Sequence, residues 1–153
     1  MRTKSLLVTG LLSLCTFLAL AQTDKSFKKI TVTASRDTTF DNVIDYLLDK
    51  GIFIHSVDKQ AGFIHANVFM KDKKFFRAKL GDRRTMNFVI RAIDNHTNVM
   101  LNIFSEEYYV SNSVHFYENK EIVDDPAVYL DILNQLQKAI DQKNSSFPSN
   151  PVL

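Results

Sequence analysis

The segment that decides the fold is residues 52–70, IFIHSVDKQAGFIHANVFM, in which two β-rich runs flank the short polar link DKQAG. A glycine within such a link is a signal for a β-hairpin. Pairing Val57 with Phe63 across the link places His55 opposite His65. One face of the hairpin is then aliphatic apart from Ser56 and belongs in a core. The candidate binding residues of the other face are Phe53, His55, Phe63, His65 and Asn67.

Upstream of the hairpin, the sequence predicts a strand and a helix. Residues 28–35 alternate between polar and apolar side chains, which is the pattern of a half-buried strand. Apolar residues then recur at helical spacing from Phe40 to Leu48, with Thr38 or Thr39 as the expected N-cap. Gly51 follows as the C′ residue at which this helix ends.

Downstream, the sequence predicts a second hairpin, a weaker strand and a terminal helix. Residues 85–93 and 99–104 form an alternating pair, and residues 114–117 are the weaker strand candidate. Asp124 or Asp125 caps the helix and Pro126 suits its first position. The apolar stripe of the helix consists of Tyr129, Leu133, Leu136 and Ile140.

The order β-α-β-β-β-β-α predicts an α+β fold in a single domain over residues 22–143, followed by a flexible tail at 144–153. Short links between consecutive strands imply an antiparallel sheet of five or six strands. Two amphipathic helices cover only one face of such a sheet, which predicts a two-layer sandwich with an uncovered face. The second strand pair extends that face and adds Arg91 to the candidate binding residues.

The first 21 residues have the three parts of a secretory signal. Two basic residues precede an apolar run over residues 6–20, and small residues stand at positions 19 and 21. We therefore expect an exported protein, periplasmic or secreted, whose mature chain begins at Gln22. The alternative is a lipid anchor on Cys15, although the bulky Leu14 stands where a lipobox has a small residue.

Composition argues against several classes of partner. The chain has 19 basic and 17 acidic residues, and Arg2 and Lys4 leave with the leader, so the mature chain is close to neutral. A nucleic-acid partner is not expected for a neutral, exported domain. The single cysteine also lies in the leader, which excludes disulfides and thiolate metal sites from the mature chain. We predict no transmembrane segment in the mature chain.

Residues 40–54, FDNVIDYLLDKGIFI, followed by 57–64, VDKQAGFI, resemble a pattern that is common in small bacterial envelope proteins. There, a helix ends in glycine, a strand follows, and an Asp-Lys…Gly turn leads into the next strand. Similar segments occur in lipoproteins related to the C-subunit of the outer-membrane β-barrel assembly machinery, and in envelope families with a TATA-binding-protein-like sheet. The resemblance implies the architecture and an envelope location, and it transfers no catalytic residue.

A basic connection is predicted between the two hairpins. Such a segment suits an anionic lipid head group, a cell-wall glycan or an acidic protein patch. The alternative is a solvated connection, because charge runs are usually solvated. The basic residues of this connection are Lys71, Lys73, Lys74, Arg77, Lys79, Arg83 and Arg84.

Aromatic residues are concentrated in a Tyr-rich stretch at 104–117, which either stacks on sugars or closes a sheet edge. No catalytic motif occurs in the sequence. We therefore predict a non-enzymatic envelope module, without cofactor or metal, that binds an envelope protein or an anionic lipid or glycan through the uncovered face. Two alternatives stay open: a small hydrolase or metal-dependent enzyme centred on His55 and His65, and a structural subunit that self-associates as a homodimer. A histidine pair falls short of the three or four ligands that zinc normally has.

Overall fold

The predicted elements are present in a computed structural model that describes residues 25–71 and 79–146. Strands and two α-helices follow one another in an α+β arrangement, which confirms the predicted class. The helices are α1 (Arg36–Asp49) and α2 (Pro126–Ser146), and a 3-10 turn (Lys25–Lys28) precedes the first strand. The strands are β1 (Lys29–Val32), β2 (Phe53–Asp58), β3 (Phe63–Lys71), β4 (Lys79–Ile93), β5 (His96–Ser111) and β6 (Val114–Ile122).

Six antiparallel strands form one sheet in the order β1-β5-β4-β3-β2, with β6 also paired to β5. One edge of the long strand β5 has two partners, because Met100 pairs with Lys29 of β1 whereas Phe104 pairs with Ile122 of β6. The other edge of β5 pairs with β4 along almost its whole length. The weaker strand candidate is therefore a full strand, β6, that shares an edge of β5 with β1.

The gap between β1 and β6 is closed by Tyr129 of α2. Its hydroxyl accepts a hydrogen bond from the Ile103 backbone N–H at 3.1 Å and donates one to the Val123 carbonyl at 2.8 Å. The Val123 N–H in turn donates to the Ile103 carbonyl at 2.9 Å. The hydroxyl of a buried tyrosine thus satisfies the one N–H of β5 that lies between its pairings with β1 and β6.

Both helices pack on one face of the sheet, the covered face, where period-two alternation directs the apolar side chains of the central strands. Helix α1 contributes Phe40, Val43 and Leu47, and the predicted stripe of α2 is buried as expected. The buried residues of the central strands are Ile64, Ala66, Met86, Phe88, Ile90, Val99, Leu101 and Ile103.

The helix ends differ in part from the prediction. The N-cap of α1 is Ser35, whose side chain accepts a hydrogen bond from the Thr38 N–H at 3.2 Å, so the predicted cap at Thr38 or Thr39 is wrong. The first turn of α1 consists of polar residues, so helical spacing of apolar residues could not indicate that the helix begins there. Gly51 has a φ of 66° and ends this helix as predicted. Helix α2 is capped by Asp125, which accepts from the Ala127 N–H, and continues three residues into the predicted tail, to Ser146.

The register of the first hairpin is confirmed at one end and wrong by one residue at the other. Phe53 pairs with Asn67 as predicted, but a β-bulge at His55 shifts the register, so that Val57 pairs with Ile64 instead of Phe63. The link is shorter than predicted because Asp58 belongs to β2. Its carboxylate accepts a hydrogen bond from the Ala61 N–H at 2.8 Å, which stabilises the tighter turn.

The basic connection is also shorter than predicted. Strand β3 runs to Lys71, which pairs with Gly81, and β4 begins at Lys79, so Lys79, Arg83 and Arg84 lie in a strand. Lys73, Lys74 and Arg77 lie outside the described residues, as do the predicted leader with Cys15 and residues 147–153. Within the described ranges, neither helix is long and apolar enough to cross a membrane.

Candidate functional site

The face of the sheet opposite the helices, the open face, is built by the same alternation that fills the core. Phe63, His65, Asn67, Phe69 and Lys71 of β3 lie on it. Their cross-strand partners on β4 are Val89, Asn87, Thr85, Arg83 and Gly81. Further partners are Met100, Asn102, Phe104, Glu106 and Tyr108 on β5, with Phe53 on β2 and Tyr117 on β6.

A row of hydrogen-bonding side chains divides the open face. His65, Asn87 and Asn102 are cross-strand neighbours on three adjacent strands. A small apolar patch that includes Phe63 and its neighbour Val89 lies on one side of this polar row. A cluster of aromatic rings lies on the other side. The open face is therefore two separate surfaces with a polar boundary.

The aromatic cluster consists of Phe53, Phe69, Tyr108, His115 and Tyr117, and Tyr108 is at its centre. The centroid of the Tyr108 ring lies 4.7 Å from that of Tyr117 and 5.6 Å from those of Phe69 and His115. These separations are typical of favourable aromatic pairs. Phe53 is nevertheless 68% exposed, and Phe69 and Tyr117 are each 43% exposed. The rings of Phe69, His115 and Tyr117 thus pack against Tyr108, and the cluster still presents surface to solvent.

Gly81 allows Phe69 to reach Tyr108. A Cβ atom at Gly81 would lie 2.9 Å from Cζ of Phe69 and 2.3 Å from the Met70 carbonyl oxygen, and both are too close for a real side chain. The Phe69 ring therefore lies over Gly81, and a side chain at position 81 would exclude the ring from this place. It forms a T-shaped contact with the ring of Tyr108, which is the cross-strand partner of Gly81.

Arg83 is fixed at the border of the cluster. The carbon of its guanidinium lies 3.9 Å from the centroid of the Tyr117 ring, in a cation–π contact. Its Nε donates to Oε2 of Glu106 at 2.9 Å, and Nη2 lies 2.7 Å from the same oxygen. The Glu106 side chain is only 14% exposed, so the ion pair is partly shielded from water. Arg83 is thereby held in one orientation.

The cluster surrounds a shallow depression with a volume of about 340 Å³. Asn67 lies at its margin, and the Asn67 amide oxygen accepts a hydrogen bond from the Thr85 hydroxyl at 2.9 Å. This leaves the Asn67 amide nitrogen to donate to a ligand. The depression therefore combines ring surfaces with N–H donors, which is chemistry for recognition. Its lining consists of Phe53, Asn67, Val68, Phe69, Arg83, Tyr108 and Tyr117.

Basic side chains outnumber acidic ones among the described residues of the open face. Lys71 is exposed and forms no ion pair with a described residue, and it shares a cross-strand row with Gly81 and Tyr108. The only acidic side chains on the described part of this face are Glu106, which Arg83 neutralises, and Asp58. The basic side chains are Lys29, Lys71, Arg83 and Arg91.

The structure separates the predicted basic residues instead of gathering them. Lys71 and Arg83 lie on the open face, whereas Lys79 and Arg84 lie on the covered face. The Lys79 ammonium lies 2.8 Å from Asp82 and 2.6 Å from Glu107, and these hydrogen bonds raise the pKa of Lys79. Lys79 is therefore paired with two carboxylates on the covered face and is not part of the open face.

The predicted cross-strand pairing of His55 with His65 is wrong, because Ser56 is the partner of His65, but the ring centroids of the two histidines still lie 5.1 Å apart. The β-bulge at His55 keeps the two rings together although Ser56 is the direct partner of His65. Within residues 25–71 and 79–146, no group of three or more histidine, cysteine or carboxylate side chains is arranged to hold a metal ion. The two imidazoles thus supply two ligands at most.

Of the residues predicted for the uncovered sheet face, only Phe53 and Asn67 border the depression, and Arg83 of the predicted basic connection borders it as well. Phe63 lies across the polar row from the aromatic cluster. Arg91 pairs with Asn98 of β5 and lies farther along that same side of the row. Tyr108 and Tyr117 also lie on the open face, although the predicted face did not include them. The signal for Tyr108 was the alternation of β5, which continues past Asn102 and Phe104.

Comparison with known proteins finds no family model that matches this chain and no matching curated protein.

Proposed function

We propose that this protein is an exported, non-enzymatic envelope module that binds an envelope protein or an anionic envelope component through its open face. The observation that carries this proposal is the exposed aromatic cluster with Arg83 at its border. Exposed aromatic groups of this kind are typical of interaction sites, where aromatic and arginine side chains supply most of the binding energy. Export to the envelope rests on the leader at residues 1–21.

The rigidity of the cluster supports a binding role. Tyr108 contacts three other rings, and Arg83 is held by both Tyr117 and Glu106. Side chains that are already ordered lose little conformational entropy when a ligand binds. The cluster therefore pays a smaller entropic cost on binding than an equal number of mobile surface residues.

The test compares a variant of the cluster with a matched variant of the covered side. The double substitution Phe53→Ser with Phe69→Ser removes two exposed rings from the open face. Leu48→Ser removes a side chain of similar exposure, 60%, from helix α1. An envelope extract is separated into protein, lipid and polysaccharide fractions, and the binding of each fraction to the immobilised mature chain is measured.

We expect one fraction to bind the wild type and Leu48→Ser equally and the double variant about tenfold less tightly or worse. Thermal melts of both variants should remain close to that of the wild type, because the substituted side chains are exposed. If no fraction distinguishes the two variants, the proposal is wrong. If light scattering instead shows that the double variant dissociates a homodimer, the open face serves self-association.

A further inference from the structure

We infer that the aromatic cluster is a saccharide site and that its ligand is an acidic glycan. This inference rests on the binding function proposed above and specifies the ligand of the same site. Three features carry it: the ring platform, the polar row beside it, and the excess of basic side chains on the open face.

The platform suits a sugar ring. A pyranose has C–H groups on one face and hydroxyls around its rim, so it binds where ring surfaces meet hydrogen-bonding groups. The negative π-face of an aromatic ring attracts such C–H groups. The depression has a volume of about 340 Å³, at the small end of ligand pockets, and Asn67 offers an amide nitrogen at its margin. This size suits one or two sugar units.

The polar row favours a glycan over a flat protein partner. A protein that covers the whole open face would have to desolvate His65, Asn87 and Asn102 in the middle of its contact. The cores of protein interfaces are instead apolar. The hydroxyls of an oligosaccharide that leaves the depression can form hydrogen bonds with these same side chains. The row thus extends a glycan site and interrupts a protein interface.

The charge of the open face favours an acidic glycan. Lys71 is exposed in the cross-strand row of Gly81 and Tyr108, and the Phe69 ring lies over Gly81 between them, so the ammonium can reach an anionic group of a sugar that lies on these rings. Arg83 borders the same depression, but Glu106 neutralises its charge, so Lys71 is the basic residue without a described ion pair at this end of the open face. A carboxylate, sulfate or phosphate group on a sugar stacked against Tyr108 is therefore complementary to its surroundings.

The test titrates the mature chain with a panel of uronate, sulfated and phosphorylated oligosaccharides, each beside a neutral counterpart such as the methyl ester of the uronate. Phosphatidylglycerol vesicles and an acidic peptide complete the panel. The variants are Phe53→Ala, Lys71→Gln and, as a control of equal charge away from the open face, Lys138→Gln on helix α2. Calorimetry at low and high salt gives the affinities.

We expect at least one acidic oligosaccharide to bind about tenfold more tightly than its neutral counterpart, with the preference decreasing at high salt. Phe53→Ala should weaken this binding about tenfold. Lys71→Gln should remove most of the preference for the acidic form, whereas Lys138→Gln should leave it almost unchanged.

Three outcomes overturn the inference. One is that no acidic oligosaccharide binds, and another is that acidic and neutral forms bind equally. The third is that only the vesicles or only the peptide bind, which assigns the site to a lipid head group or a protein. In this third case the proposed binding function survives, provided that the loss of Phe53 and Phe69 still weakens the interaction. If no probe or envelope fraction depends on these two residues, both proposals fail.

Discussion

At the scale of single residues, the hydroxyl of Tyr129 forms a hydrogen bond to β5 that a neighbouring strand would otherwise form. Strand β5 changes its partner from β1 to β6, and the backbone N–H of Ile103 falls between them. The hydroxyl accepts from this N–H and donates to the Val123 carbonyl in a fully buried position. The edge of β5 is thus satisfied by one side chain of a helix that lies far away in the sequence.

Removal of this hydroxyl should therefore be costly. Tyr129→Phe leaves the Ile103 N–H buried without an acceptor, and we expect the free energy of unfolding to fall by about 1–3 kcal/mol. Tyr46→Phe is the matched control, because the Tyr46 hydroxyl forms no hydrogen bond with a described residue although Tyr46 is 7% exposed. Its cost should be about 0.5 kcal/mol or less. Urea unfolding measures both, and equal losses would contradict this role of Tyr129.

At the scale of elements, helix α1 shows how neighbouring leucines have different roles. Leu47 is fully buried between α1 and the sheet, whereas Leu48 is 60% exposed on the other side of the helix. Consecutive residues of a helix point about 100° apart, so only one of the two faces the core. The helix is therefore docked through a narrow stripe that includes Val43 and Leu47.

Comparison of alanine substitutions at these two leucines should show how much of the stability comes from packing of α1 on the sheet and how much from the helix itself. Leu47→Ala should lower the free energy of unfolding by about 2–5 kcal/mol, because it leaves a cavity beneath the helix. Leu48→Ala changes the same residue type in the same helix and should cost about 0.5 kcal/mol or less. Denaturant unfolding measures both. A loss below about 0.5 kcal/mol for Leu47→Ala would mean that α1 is not docked as described.

At the scale of the whole molecule, four ionisable groups on different elements share one direction of pKa shift. A hydrogen bond to Asp124 raises the pKa of Lys28, and hydrogen bonds to Asp82 and Glu107 raise the pKa of Lys79. Burial raises the pKa of Tyr46, and a hydrogen bond to Glu107 raises that of Tyr109. The ordinary values are 10.5 for lysine and 10.0 for tyrosine, so all four groups bind their protons more tightly when folded.

The protein should therefore lose stability at alkaline pH. A pKa that is raised on folding contributes stability that is fully present below the unfolded value and lost as the pH rises through the folded value. We expect the free energy of unfolding to fall as the pH rises above about 10. Lys79→Met should show a smaller decrease between about pH 8 and pH 11, because it removes one of these groups. Urea titrations at both pH values measure this decrease, and an equal decrease in the variant would contradict the assignment to Lys79.

Local sequence determined the elements and the face to which most side chains point. Alternation in residues 63–70 separated Ile64 and Ala66, which are buried, from His65 and Asn67 on the open face. Helical spacing identified Leu47 and the stripe from Tyr129 to Ile140. These patterns are readable because the period of a strand or a helix is a property of neighbouring residues. The errors occurred where local signals were weak, at the polar first turn of α1 and at the bulge of His55.

Tertiary structure alone decided which residues of the open face meet. Phe69, Arg83, Tyr108 and Tyr117 lie on four different strands, and they form one cluster only because of the register between those strands. Register depends on turn geometry and bulges, such as the irregularity between Lys79 and Gly81, which no local periodicity encodes. The basic residues Arg83 and Arg84 divide between the two faces because successive residues of a strand point to opposite sides, and this became clear only once both were found in a strand. The chain sequence therefore specified an open sheet face, and the pairing of strands placed the aromatic cluster on it.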